Sequence, residues 1–153
     1  MPKKVDSTEY STVAIPQNMA RAGWDLDTEE ILRLCRDFDI RWPVKFRWIT
    51  GKYRRGTHYT RWDGNGNFWH QITVDQNRSL EDSLRTVLHE LRHAIQTETY
   101  ARNAADLISG IRTFSAEYRK EGQSNTNGYN SNRFEQDANE FMEKWQHEYK
   151  VVY

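Results

Sequence analysis

The segment 80–99 constrains the fold more than any other part of the chain. Leu80, Leu84, Val87, Leu88, Leu91 and Ile95 recur at helical spacing and gather on one side of a helix at 100° per residue. His89 and His93 point nearly opposite, beside Gln96 and Asp82. One face of this helix therefore seals a core, and the other meets a second layer or a cleft. Ser79 with Asp82 gives a short capping pattern that starts it.

The rest of the chain supplies the layers. Asp27-Thr28-Glu29-Glu30 is a capping-box pattern that opens a helix over 28–38, with Ile31, Leu34, Cys35 and Phe38 on one face. Cys35 there reads as a small core residue rather than a nucleophile. The segment 43–49 alternates, with Val44, Phe46 and Trp48 on one side, and reads as a strand. Segments 57–62 and 68–75 read as two more. The Asp63-Gly64-Asn65-Gly66-Asn67 run between them is the strongest turn signal in the sequence. The simplest arrangement is an antiparallel meander. Two further helices follow. One, over 103–120, carries Leu107, Ile108, Ile111, Phe114 and Tyr118. The other, over 132–149, puts Phe134, Ala138, Phe141, Met142, Trp145 and Tyr149 on one side. The expected fold is α+β: an N-terminal helix, a three-stranded mostly antiparallel sheet, the histidine-bearing helix and two C-terminal helices. Residues 1–23 read as a polar arm and 24–153 as a single domain. The polar segment 122–132 is a solvated connector or a lid.

Composition narrows the function classes. In 153 residues, Lys+Arg 22 balance Asp+Glu 22, so no whole-chain charge favours nucleic acid or an anionic membrane. The mean hydropathy of −0.97 is low, yet six Trp, eight Tyr and six Phe argue for an ordered core. No apolar run approaches the roughly 20 residues of a membrane span. The basic start, 1–6, leads into no apolar stretch, so no signal peptide is read. A single cysteine, Cys35, excludes an internal disulfide and a cysteine-based zinc cluster. A reducing compartment, the cytoplasm, fits best.

His89-Glu90-Leu91-Arg92-His93 is an HExxH sequence. On a helix, positions i and i+4 stand one above the other, so both imidazoles can reach one Zn²⁺ at about 2.0–2.1 Å. Glu90 is rotated by about 100° from His89. It cannot readily join them as a ligand, but it can reach a water bound there and act as general base. A catalytic zinc needs a third protein ligand. Glu135, Asp137, His147, Glu98 and Glu117 are all candidates. Glu135 lies on the flank of the last helix's apolar face, where it can look into a shared cleft, and Asp137 lies on the other flank. Asn139, one turn on from Glu135, can hydrogen-bond a ligand.

The order strand, HExxH helix, then a helix carrying Glu135, Asp137, Ala138, Asn139 and Phe141 resembles zincin metallopeptidases of the gluzincin kind. It is most similar to the compact ImmA/IrrE-type metallopeptidases and related phage-borne zincins. The resemblance covers about half of the chain, roughly 68–145. It implies a small zincin-like domain in which His89, His93 and Glu135 hold Zn²⁺ and Glu90 activates the metal-bound water that attacks a peptide bond. It also implies a transition-state donor, for which Tyr129, Tyr118 and His147 are candidates, and a sheet edge that receives the substrate as an added strand. The segment 71–75 is the expected edge. Members often carry Gly where this chain has Arg92.

Two other readings remain at this level. The fold could persist as a non-catalytic structural or binding protein, for instance in a phage particle. Alternatively, the stretch 41–62, with seven bases (Arg41, Lys45, Arg47, Lys52, Arg54, Arg55, Arg61), no acid, and Trp42, Trp48, Tyr53, Tyr59 and Trp62 between them, could bind nucleic acid, as in a SprT-like protease acting on DNA-bound proteins. A half-buried sheet with a basic outer face explains the same pattern. His58 and His70, both in strands, read as hydrogen-bonded histidines rather than ligands.

Overall fold

Helix α1, Thr28–Asp37, ends where the sequence gives it a stop. Asp39 adopts the left-handed region (φ 57). The Ile40 N–H then reaches the Cys35 carbonyl (2.8 Å) and the Asp39 N–H the Arg36 carbonyl (3.0 Å), the paired bonds of a Schellman stop. This turns the chain so that Ile40 and Trp42 enter the core, where they are 1% and 4% exposed. A computed structural model describes residues 28–49, 56–75, 79–123 and 132–146. The expected arm 1–23 and the segment 124–131 lie outside the described residues.

Three strands follow: β1 (Val44–Ile49), β2 (Gly56–Trp62) and β3 (Phe68–Asp75). Their order is β1-β3-β2, with β1 parallel and β2 antiparallel to β3. The sheet is therefore mixed, and the expected antiparallel meander is corrected. Burial gives the reason. Phe68, His70, Ile72 and Val74 of β3 are all buried, whereas every position of β2 is half-buried or exposed. The strand with most to hide takes the middle. The β2–β3 hairpin closes as the turn signal indicates, with Gly64 (φ 85) and Gly66 (φ 89) in conformations that disfavour a Cβ. The Asp63 carboxylate there accepts hydrogen bonds from the Asn65 N–H (2.8 Å) and the Asn67 side-chain amide (2.7 Å).

Helices α2 (Leu80–Asn103), α3 (Leu107–Gln123) and α4 (Arg133–Trp145) complete an α+β domain. The Ser79 side chain caps α2 by accepting from the Asp82 N–H (3.1 Å), and Asn132 caps α4 by accepting from Phe134 N–H (2.9 Å). Leu84, Val87, Leu88 and Leu91 of α2 pack with Leu34, Cys35, Ile72, Val74 and Phe141 in one core cluster. Each such aliphatic side chain contributes about 1.5–3 kcal/mol by leaving water. Cys35, 0% exposed, is a core residue as expected, and burial pushes its thiol far up. Among the described residues, no helix is long and apolar enough to cross a membrane.

Candidate metal centre

The apolar stripe that seats α2 on the sheet fixes its rotation, and so turns His89 and His93 toward α3 and α4. Their rings stand 4.9 Å apart, nearly perpendicular, with Nε2 atoms 3.2 Å from one another. Glu135, in the first turn of α4, brings Oε1 to 2.9 Å from His89 Nε2 and 2.6 Å from His93 Nε2. All three side chains are buried, and their ligand atoms lie within 4.8 Å of one another. Two nitrogens bound tetrahedrally at about 2.0–2.1 Å stand roughly 3.3 Å apart, so this donor set fits a small divalent cation.

A second ring of contacts orients the donors. The His93 Nδ1–H donates to Gln96 Oε1 (2.8 Å), so the proton that His93 would give up to a cation is the one on Nε2, beside Glu135. Gln96 Nε2 in turn donates to the Phe134 carbonyl (3.0 Å) and to Asp137 Oδ2 (2.8 Å), tying α2 to α4. Tyr118 of α3 donates its hydroxyl to Glu135 Oε2 (2.7 Å). Sequence reasoning passed over Gln96 as an orienting group, although its i+3 spacing from His93 is the signal. Asn139, expected in that role, lines the cleft but makes no hydrogen bond to the three donors among the described residues.

The other ligand candidates among the described residues are committed elsewhere. Asp137 meets the Arg92 fork, with Nε to Oδ2 at 2.7 Å and Nη2 to Oδ1 at 3.3 Å. Burial works to raise its carboxyl, but the hydrogen bonds from Arg92 and Gln96 hold it below the ordinary range. Arg92 thus clamps α4 beside Glu135, a use for a side chain at the position where the family resemblance leads one to expect Gly. Glu98 faces His70 and the backbone of 41–42, and Glu117 accepts from Tyr100 and Arg133. His147 and Tyr129 lie outside the described residues.

Electrostatics separate the two acids of the cluster. Burial alone would raise the Glu135 carboxyl, but hydrogen bonds from His89, His93 and Tyr118 and the His93 charge hold it far below the usual range. Glu90 goes the other way: burial raises it, the charges of His93 and His89 pull it partly back, and Glu135 raises it again. Burial opposes protonation of His93, but the Glu135 hydrogen bond and the Glu90 charge outweigh it and move that imidazole up. Cation affinity is therefore expected to rise with pH through and beyond the ordinary histidine range, as His93 gives up its proton. Competition against a chromophoric chelator at several pH values checks this, and a pH-independent affinity would speak against His93 as a donor. Burial, then the charges of His70 and His93, keep His58 well below the ordinary range.

The cluster and Glu90 line a cleft of about 780 Å³. Its other wall is β2, not the segment 71–75. Strand β3 is paired on both sides and offers no free edge, whereas among the described residues β2 pairs only with β3. Strand β2 comes close to α2 at Gly56, where a Cβ would stand 2.8 Å from the Thr73 carbonyl oxygen and 3.4 Å from Glu90 Cγ and would overlap the Thr86 side chain. Gly56→Ala is expected to cost about 1–3 kcal/mol in denaturant unfolding and to displace the Thr86 side chain; an unchanged midpoint would contradict this packing. In the basic and aromatic stretch, Trp42 is buried and stacked on Phe68 (5.0 Å), and Lys45 lies over Trp69 (4.6 Å). Tyr59 and Trp62 are exposed. Lys52, Tyr53, Arg54 and Arg55 lie outside the described residues.

No family model, no curated protein and no solved structure matches the chain.

Proposed function

We propose that the chain is a zinc-dependent metallopeptidase with a zincin-like domain. One observation carries the reading. Two imidazoles from one helix and a carboxylate from another bring their ligand atoms within 4.8 Å of each other, in a cleft that Glu90 also lines. Two histidines and a glutamate are a known catalytic zinc donor set, with a position left open. Zinc held there would polarise a carbonyl and lower the pKa of water from 15.7 towards roughly 7.

The chain's own residues do the rest. Glu90 makes no side-chain hydrogen bond among the described residues, so its carboxylate is free to take a proton from the attacking water and return it to the leaving amine. Its raised pKa moves it towards the range in which a general base works at neutral pH. Tyr118 fixes the orientation of Glu135 and reaches the cleft, and it is the one expected oxyanion donor among the described residues. Strand β2, whose outer side pairs with no other strand among the described residues, supplies main-chain N–H and C=O groups to which an extended peptide can add as a strand.

The test joins metal and activity. The full chain, purified without chelators, should hold one zinc by elemental analysis and cut members of a peptide library read by mass spectrometry. Zinc without cleavage would favour the non-catalytic reading of the same fold. No stoichiometric metal would remove the centre altogether.

A further inference from the structure

Three side chains outside the metal cluster form a hydrogen-bonded chain that ends on the cleft. Glu98 is 2% exposed. Its Oε1 accepts from the Arg41 N–H (2.8 Å), its Oε2 accepts from the Trp42 N–H (3.3 Å), and Oε2 stands 2.7 Å from His70 Nε2. The Arg102 guanidinium lies 3.7 Å from Oε1. Backbone N–H groups only donate, so both carboxylate oxygens are acceptors and His70 Nε2 carries the proton. A neutral imidazole has one N–H, which leaves His70 Nδ1 as a lone pair. That atom is 2.8 Å from His58 Nε2, which must then be the donor. The Thr60 hydroxyl, 3.2 Å from the same His70 nitrogen, completes the cluster. His58 Nδ1 has no partner among the described residues. His58 stands on β2 in the cleft wall, its ring centroid 6.5 Å from that of His93.

We propose that Glu98, acting through His70, fixes His58 as its Nε2–H tautomer and presents the Nδ1 lone pair to the cleft as the acceptor for an N–H or O–H donor of the bound ligand. Anchoring the 41–42 backbone would require only Glu98. It does not explain two histidines in series that carry the polarity of a buried carboxylate to the cleft wall. The tautomer assignment is independent of what the cleft does. The identity of the donor, a backbone N–H of a peptide lying along β2, rests on the metallopeptidase reading. On that reading His58 contacts substrate, and Glu98 and His70 are positioning residues.

Glu98→Gln tests the relay because its amide can satisfy only part of the pattern. Keeping its oxygen on the Arg41 N–H, the shorter backbone contact, places the NH₂ against His70 Nε2. That turns His70, and then His58, to the Nδ1–H tautomer. Long-range ¹H–¹⁵N correlation spectra of the full chain with labelled histidine should show both rings as Nε2–H in the wild type and inverted in Glu98→Gln. A wild-type spectrum with either ring as Nδ1–H or as imidazolium overturns the proposal, and that measurement stands even if the variant does not fold. Unchanged tautomers in a folded Glu98→Gln overturn it too. On peptide substrates, His58→Ala should raise KM about three- to tenfold at unchanged zinc content, the range of one neutral hydrogen bond. An unchanged KM would remove the ligand contact. If no peptide is cut at all, the metallopeptidase reading falls, while the tautomers still decide the relay.

Discussion

Glu90→Gln is expected to lower kcat by about 10²–10⁴-fold while zinc content stays at the wild-type level. The substitution keeps the size of the side chain and its place on α2 but removes the proton acceptor. Glu90 makes no hydrogen bond to the three donors among the described residues, so the His89–His93–Glu135 contacts should survive. Burial raises the carboxyl, so the neutral amide should be accommodated at no loss of stability, and Tm should hold or rise. The informative result is the split between retained metal and lost turnover. Wild-type kcat in a zinc-loaded Glu90→Gln chain would reject Glu90 as the base.

Glu135→Ala should have the largest effect on the metal. Among the described residues, its Oε1 is the one carboxylate oxygen within 2.9 Å of both His89 Nε2 and His93 Nε2. Without it two imidazoles remain, one fewer than a catalytic site needs. Zinc affinity should fall well beyond the 10- to 100-fold that changes to surrounding hydrogen-bond partners cause, and peptide cleavage should be lost with it. The change also leaves the Tyr118 hydroxyl without its acceptor. Asp137→Asn is the control. Arg92 and Gln96 hold that carboxylate away from the centre, so its loss should alter affinity by no more than that outer range. Competition titration of both variants against a zinc chelator distinguishes them. Wild-type affinity in Glu135→Ala, or a collapse in Asp137→Asn alone, would move the third donor to another residue.

Helical periodicity made much of this legible. The stripe from Leu84 to Leu91 set the rotation of α2, and a fixed rotation put His89 and His93 on the opposite face, because side chains four apart on a helix share a side. The Asp63–Asn67 turn was readable because two glycines in left-handed conformations join strands in a tight hairpin. Strand neighbours were not readable. Alternation in 43–49, 57–62 and 68–75 says which face each strand hides, but not which strand lies between the others. The sheet order follows from how much of β3 must be buried on both sides, and it moved the free edge from the segment 71–75 to β2.

The chain by itself determined that two imidazoles stand one above the other beside an acid, since that geometry is local and follows from 3.6 residues per turn. The packing of α4 against α2 decided which downstream carboxylate meets them, because Glu135 and Asp137 are two residues apart and both are acids. The Tyr118 contact turns one to the histidines, and the Arg92 and Gln96 contacts hold the other away, all formed across helices. The same holds for the Glu98–His70–His58 chain. Its members come from α2, β3 and β2, and hydrogen bonds between such distant residues leave no periodic trace in a sequence.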